Sequence, residues 1–297
     1  MSLRLDQLFS LQGRVALVTG GGTGIGHMIA EGLATNGAKV YITGRRKDVL
    51  DKAAASFVAT NQGSGSIVPI AMDVTDQQSI LAGRELIAAQ DGRLHILVNN
   101  AGQTGPVARF FEDASAPENK DAETLGRALF DYETFADWAS LYSINTFAIY
   151  FVSTAFLGLL AKGSEDTPAH TSSIINITSI SGTIKLCQNH FAYNSSKAAA
   201  THLTKMFATE LALKNIPVRV CAVSPGVYES EMTYDNITED LVNVVGKGIV
   251  PVPANRPGTA HEIAGTVIYL ASPAGCYTNG QEIIIDGGYT AVNPAVR

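Results

Sequence analysis

A chain of 297 residues, 46 % of them apolar, has enough apolar mass for one large α/β domain or two small ones. Its formal net charge of −6 argues against nucleic acid or an anionic membrane surface as the main partner. Cys187, Cys221 and Cys276 are scattered with no C-x-x-C spacing, which suits a reducing, cytoplasmic compartment and marks neither a zinc site nor a disulfide frame.

Residues 1–13 are a polar lead-in without the long apolar stretch of a signal peptide. Val15–Val18 is a short apolar run, too short for a helix and suited to a buried strand. Gly20, Gly21, Gly22, Gly24 and Gly26 follow, and then Ile25, Ile29, Leu33 and Ala34 recur at helical spacing up to Asn36-Gly37. A strand, a glycine turn and a helix in that order make an anion site. The helix start offers free N–H groups, and glycine lets a phosphate approach the backbone. The G-x-G-x-x-G pattern is absent, and so is the Lys-Ser/Thr of an ATP-type loop.

Residues 39–43 read as a second strand. An acidic residue at its end would hold the ribose 2′-hydroxyl of NAD. Gly44 stands there instead, followed by Arg45, Arg46 and Lys47, a positive cluster suited to the 2′-phosphate of NADP. Residues 48–60 read as a helix and 67–72 as a third strand ending in Asp73-Val74. Thr75-x-x-Gln78 looks like a capping box for a helix over 76–90. Leu94–Val98 is the fourth strand and runs into Asn99-Asn100-Ala101-Gly102.

The stretch 103–135 is long, polar and acidic, yet it contains Phe110, Phe111 and Phe130. It reads as a substrate-side flap, a subunit contact or a plain surface insertion. Residues 135–162 read as one long helix, apolar on most faces and therefore buried between its own sheet and a second subunit. Ile174–Ile177 is strand five, 191–215 a second long helix and 218–223 strand six. Residues 227–257 read as an irregular lid over an apolar ligand, 259–271 as a helix, and 282–285 as the last strand. Apolar runs such as Ile283–Ile285 are short, so no membrane span is expected. Strand and helix alternate to the end without a linker or repeat. The expectation is therefore a single α/β domain over 1–297, a Rossmann-type, doubly wound parallel sheet of about seven strands with helices on both faces.

Tyr193 and Lys197 lie four apart near the start of a helix, so both project from one face. A phenol ionises near ~10, and a neighbouring ammonium lowers that value towards the range of acid–base catalysis. His27, His95, His170, His190, His202 and His261 form no ligand spacing, so no metal is expected. No G-x-S-x-G elbow marks a hydrolase.

Taken together, Thr19-Gly20-x-x-x-Gly24-x-Gly26, Asn99-Asn100-Ala101-Gly102, Ser179, Tyr193-x-x-x-Lys197 and Pro225-Gly226 resemble the classical short-chain dehydrogenase/reductase family, over nearly the whole chain. The Gly44-Arg45 step resembles its NADP-preferring members, and residues 224–233 resemble a branch that includes 3-oxoacyl reductases. The resemblance implies NADP(H) bound by Gly20, Thr23, Gly24, Ile25 and Gly26, by Arg45 and Arg46, by Asp73 and Val74 beside the adenine, and by Asn99, Ala101 and Gly102. Pro225, Gly226 and Val227 would flank the nicotinamide, with Ser230 reaching its carboxamide. It implies Tyr193 as general acid or base, Ser179 holding the substrate oxygen, Lys197 on the nicotinamide ribose, and Asn145 holding a water that links Lys197 to solvent. Ser181 is the competing serine. The implied activity interconverts a small-molecule ketone and a secondary alcohol, on a β-keto acyl, polyketide-like or other apolar ketone, in a homodimer or homotetramer. A sugar or polyol dehydrogenase and a non-redox NADP-binding scaffold or regulator are the alternatives.

Overall fold

The computed structural model describes residues 3–60, 64–165, 170–229 and 237–295. After a short helix α1 (Leu5–Leu8), the elements run β1 (Val15–Thr19), α2 (Gly24–Thr35), β2 (Lys39–Gly44), α3 (Lys47–Thr60), β3 (Ser66–Ala71), α4 (Gln77–Asp91) and β4 (Ile96–Asn99). Then come α5 (Ala122–Tyr132), α6 (Phe135–Tyr142), α7 (Ala148–Glu165), β5 (Ser172–Ile177), α8 (Phe191–Leu213), β6 (Val218–Pro225), α9 (Glu239–Gly246), α10 (Ala260–Ala271), β7 (Glu282–Ile285) and α11 (Tyr289–Val292). The seven strands form one sheet in the order β3-β2-β1-β4-β5-β6-β7, and every pairing is parallel.

Both faces are covered, as an all-parallel sheet requires. Ala16 and Val18 of β1 pack into a layer with Ile29 and Leu33 of α2 and Ile263 and Val267 of α10. Val15 and Leu17 of the same strand face Ile80 and Ile87 of α4 and Val152, Phe156 and Leu160 of α7 on the other side. Successive strand residues point to opposite faces, so each must be apolar, which is why β1 reads as an unbroken apolar run. A third cluster gathers Ile180, Ile184, Ile237, Val242, Val252 and Tyr289 over the C-terminal ends of the later strands. The strand order reverses between β1 and β4, so a crevice opens at their C-terminal ends, between the glycine turn and residues 99–102.

Several expectations need correction or refinement. The helix expected over 135–162 is interrupted by a π-helical turn, Ser143–Phe147, between α6 and α7. By length and composition alone, Phe135–Glu165 is apolar enough to cross a membrane, but core helices share that property, and no membrane span of note is expected. Half of its most apolar window is nonetheless buried in the protein, as befits a core helix. The cap of α4 is Asp76, whose carboxylate accepts from the Gln78 and Ser79 amides, and Thr75 turns back to Asp73 instead. Residues 227–257 are not wholly irregular, since α9 lies within them, capped by the Thr238 hydroxyl. The insertion at 103–135 carries two 3₁₀ turns, at 109–112 and 117–119, besides α5.

Candidate active site

The site is assembled at the reversal point of the sheet. Thr19 ends β1, and its hydroxyl accepts from the backbone amides of Asn100 and Ala101 at 3.0 and 3.1 Å. In return, the Asn100 side-chain amide donates to the carbonyls of Thr19 and Gly20 at 2.9 and 3.1 Å. The two turns flanking the crevice are thus stitched together. Gly20 and Gly24 hold φ of 64° and 52°, the left-handed region that glycine enters without penalty. Gly26 sits in the first turn of α2 with no room for a side chain, because a Cβ there would collide with the Gly20 carbonyl and the Asn100 amide. Thr23 and Ile25 are half-buried within the same turn. The α2 N-terminus consequently faces the crevice with its backbone close to whatever lies there, which fits a pyrophosphate.

Arg45 and Arg46 are exposed beyond β2. Burial works against the charge on Asp73, but hydrogen bonds from the Thr75 amide and hydroxyl at 2.9 and 2.7 Å, together with the Arg45 charge, hold its carboxyl below the usual range. Val74 is buried in the core layer, leaving only its backbone for a ligand. The Asn99 side chain bonds the neighbouring strand. Its amide donates to Ser153 Oγ at 3.0 Å and Asn176 Oδ1 at 2.8 Å, and Asn176 donates onward to Thr204 at 2.9 Å. That network ties β4 and β5 to α7 and α8 and commits the side chain to the fold. Ala101 and Gly102 are half-buried, and a Cβ on Gly102 would meet Asn145 Oδ1 at 3.1 Å and Lys197 Nζ at 3.6 Å.

The reactive groups stand on β5 and α8. Ser179 follows β5, and its hydroxyl stands near enough to the Tyr193 hydroxyl to favour the ionised phenol. Ser179 Oγ also accepts from the Ser181 amide at 3.2 Å, whereas the Ser181 hydroxyl donates to Gln188 at 2.7 Å and is turned away. The Ser181 hydroxyl is thus already engaged, while Ser179 is the serine beside Tyr193. Lys197 is buried. Its ammonium donates to the Ile177 carbonyl at 3.0 Å and lies 5.8 Å from the centre of the Tyr193 ring. Burial lowers the Lys197 pKa to about 8. The same cause raises that of Tyr193, and the nearby Ser179 hydroxyl only partly opposes it, so the phenol is held in its protonated form. Desolvation, rather than the ammonium expected from the sequence, sets the direction here.

Asn145 occupies the π turn, a distortion often found at functional sites. Its amide donates to the Gln103 carbonyl at 2.9 Å and to Ser196 Oγ at 3.1 Å, and its Oδ1 accepts from the Gln103 amide at 2.9 Å. Pro225 closes β6, and Gly226 lies against Asp286, where a Cβ would come within 2.8 Å of the Asp286 Cα. Val227 joins the third apolar cluster. Ser230 lies outside the described residues. A cavity of about 370 Å³ bounded by Val227, Arg256, Glu262 and Asp286 lies beside β7 and touches none of Ser179, Tyr193 or Lys197.

Sequence reasoning overlooked Thr19 and Asn100 as positioning groups, although both lie inside the motifs it singled out. It also gave His190 no firm place. The His190 ring stands edge-on to Tyr193 at 5.6 Å, and burial, helped by the Lys247 charge, lowers its pKa to about 4.

A crevice with a glycine-lined helix start on one side and a Ser–Tyr–Lys group on the other defines a dinucleotide-dependent oxidoreductase of the doubly wound class. The family model described as enoyl-(acyl carrier protein) reductase matches residues 20–290, and the chain belongs to the short-chain dehydrogenase/reductase family. It is 36 % identical to short-chain dehydrogenase/reductase VdtF of Byssochlamys spectabilis over 315 residues, covering 99 % of this chain and 98 % of that protein. It is 34 % identical over 283 residues to the rhamnolipids biosynthesis 3-oxoacyl-(acyl-carrier-protein) reductase of Pseudomonas aeruginosa, covering 95 % and 98 %. The solved Pseudomonas aeruginosa RhlG/NADP active-site complex superposes with a TM-score of 0.79 at 29 % identity, over 95 % of this chain and 98 % of that one.

Proposed function

We propose that the protein is an NADP(H)-dependent oxidoreductase that interconverts a ketone and a secondary alcohol. The observation that carries this reading is the grouping of the Ser179 hydroxyl, Tyr193 and the buried Lys197 ammonium, which lies 5.8 Å from the centre of the Tyr193 ring. When bound, the dinucleotide supplies hydride to the carbonyl carbon. Tyr193 gives its hydroxyl proton to the carbonyl oxygen, and Ser179 donates a hydrogen bond to the same oxygen as negative charge develops there. The Tyr193 phenolate left behind is stabilised by Lys197 and regains a proton along the side that carries Asn145. In the oxidative direction Tyr193 accepts the proton instead.

Gly20, Gly24 and Gly26 with Thr23 and Ile25 would hold the pyrophosphate, Asp73 and the Val74 backbone the adenine, and Pro225, Gly226 and Val227 the nicotinamide side. Arg45 and Arg46 favour NADP, since they place positive charge where a ribose 2′-phosphate would lie, and the relative solved with NADP supports the same choice. An apolar ketone, β-keto acyl or polyketide-like, fits the apolar cluster over the strand ends, and the name of the 3-oxoacyl reductase relative favours it too. The protein works as a homo-oligomer, its second copy covering Phe147, Tyr150, Phe151 and Met206, which lie exposed on the π turn, α7 and α8.

The test is cofactor consumption by the full chain with a panel of β-keto esters, cyclic ketones and keto sugars. The reading expects turnover on apolar ketones with NADPH, and Arg45→Ala should weaken NADPH about tenfold or more while leaving NADH nearly unchanged. Equal losses for the two cofactors would remove the 2′-phosphate contact. Cofactor binding without turnover on any member would favour the non-redox scaffold, and turnover on keto sugars alone the polyol enzyme.

A further inference from the structure

The segment joining the strand-end serines to α8 contains two consecutive non-glycine residues in the left-handed region, Gln188 at φ 49° and Asn189 at φ 68°. Both are buried, at 7 % and 3 % exposure. Such a backbone is unfavourable for a side chain as long as glutamine and persists only where its surroundings enforce it. Three parts of the molecule do so. The Gln188 side-chain carbonyl accepts from Ser181 Oγ at 2.7 Å, and its amide donates to the Gly246 carbonyl at the end of α9 at 2.6 Å. Lys247 Nζ donates to the Gln188 backbone carbonyl at 3.2 Å and lies 3.7 Å from Glu112 of the insertion. The Ala108 amide donates to the Asn189 carbonyl at 2.8 Å, and Phe111 meets Phe191 edge-on at 5.4 Å.

A chain of three hydrogen bonds, carried across the covalent frames of Gln188 and Ser181, therefore leads from the end of α9 to the Ser179 hydroxyl. We infer that Gln188 is a positioning residue that couples α9 to the catalytic serine, with the insertion clamped onto the same turn through Ala108 and Glu112. Only an amide meets both demands at that position, accepting from Ser181 while donating to Gly246. When α9 settles against a substrate, its last carbonyl shifts the Gln188 amide, and the serine segment follows. The inference rests on the proposed pairing of Ser179 and Tyr193 at a carbonyl for its catalytic consequence, but the coupling itself does not depend on it.

Two measurements on the full chain test it: hydrogen exchange without cofactor, and ethyl acetoacetate reduction with NADPH. Gln188→Met keeps the length of the side chain and loses both bonds. It should speed exchange about tenfold in residues 241–246 and in 179–183 alike, and lower kcat by about as much, while NADPH affinity stays within about twofold. Gln188→Glu keeps the acceptor for Ser181 and loses the donor. It should restore slow exchange in 179–183 but not in 241–246. Lys247→Met, at a half-exposed site, should loosen 109–112. Faster exchange confined to one of the two segments in Gln188→Met, or NADPH affinity falling in step with kcat, would overturn the coupling. Should Gln188→Met not fold, Gln188→Glu still decides, because equal exchange in both segments would refute the relay. Should the wild-type chain leave ethyl acetoacetate untouched, the exchange results stand by themselves and only the activity reading is affected.

Discussion

Tyr193 and Lys197 show how burial and charge compete at a single residue. Spacing alone puts them on one helix face, and the expected consequence is a phenol made acidic by its neighbour. In the folded chain the ammonium binds the Ile177 carbonyl, and loss of water dominates both groups, raising the phenol and lowering the lysine to about 8. A protonated phenol is the state needed to reduce a carbonyl. The same desolvation acts on His170 and His190, which it holds near pKa 3 and 4 respectively, with Arg14 and Arg219 adding to the effect at His170. Both are neutral in the fold and gain a proton near 6.5 when unfolded, so their contribution is complete above about pH 6.5 and is lost as pH falls. His170, 4 % exposed, should cost about 1.4 kcal/mol by about pH 5.5, and half-buried His190 somewhat less. Urea midpoints measured between pH 7 and 5 should fall accordingly. A flat profile would mean that these rings are solvated.

At the scale of elements, the glycine turn and α2 carry the most information per residue. Gly20 and Gly24 answer a backbone need and Gly26 a steric one, and all three needs leave glycine as their trace in the sequence. Gly26→Ala would push against the Gly20 carbonyl and the Asn100 amide, the contacts that hold the two turns together. It should destabilise the chain by about 1–3 kcal/mol, read as a lower urea midpoint at unchanged slope, and weaken cofactor binding along with it. An alanine variant of full stability would show that the turn can relax. The π turn is the opposite case. Residues 135–162 have a continuous apolar pattern, and nothing local in it marks the extra residue at 143–147. Only the packing of Asn145 and Thr146 onto Ser196 of α8 reveals it. The Asn99 motif points to amides that bond neighbouring strands, but its particular partners, Ser153 and Asn176, become visible only once α7 and β5 stand beside it.

For the whole molecule, the sheet order follows from strand–helix alternation, and the position of the site follows from the reversal between β1 and β4. That much was legible, because buried parallel strands need apolar runs and a phosphate turn needs glycine. The Gln188 hub was not. Its partners come from residues 181, 246 and 247, with Ala108 on its neighbour Asn189, and a glutamine in a loop carries no pattern of its own. The outward face of α7 and α8 leaves Tyr150 at 47 % and Phe151 at 39 % exposure, with Tyr150 packed on Phe207 at 5.7 Å. Such a contiguous aromatic face calls for a covering surface. Light scattering should therefore give a mass at least twice that of one chain, and Phe151→Glu should reduce it. A wild-type monomer at micromolar concentration would contradict the proposed assembly.

The account turns on the proton donor, and Tyr193→Phe tests it most directly. Removing one hydroxyl leaves the ring, the Lys197 site and the glycine turn in place. The variant should bind NADPH with wild-type affinity and reduce the best ketone of the panel at least about a thousandfold more slowly. Turnover within about tenfold of wild type would contradict the assignment and require the proton to come from elsewhere.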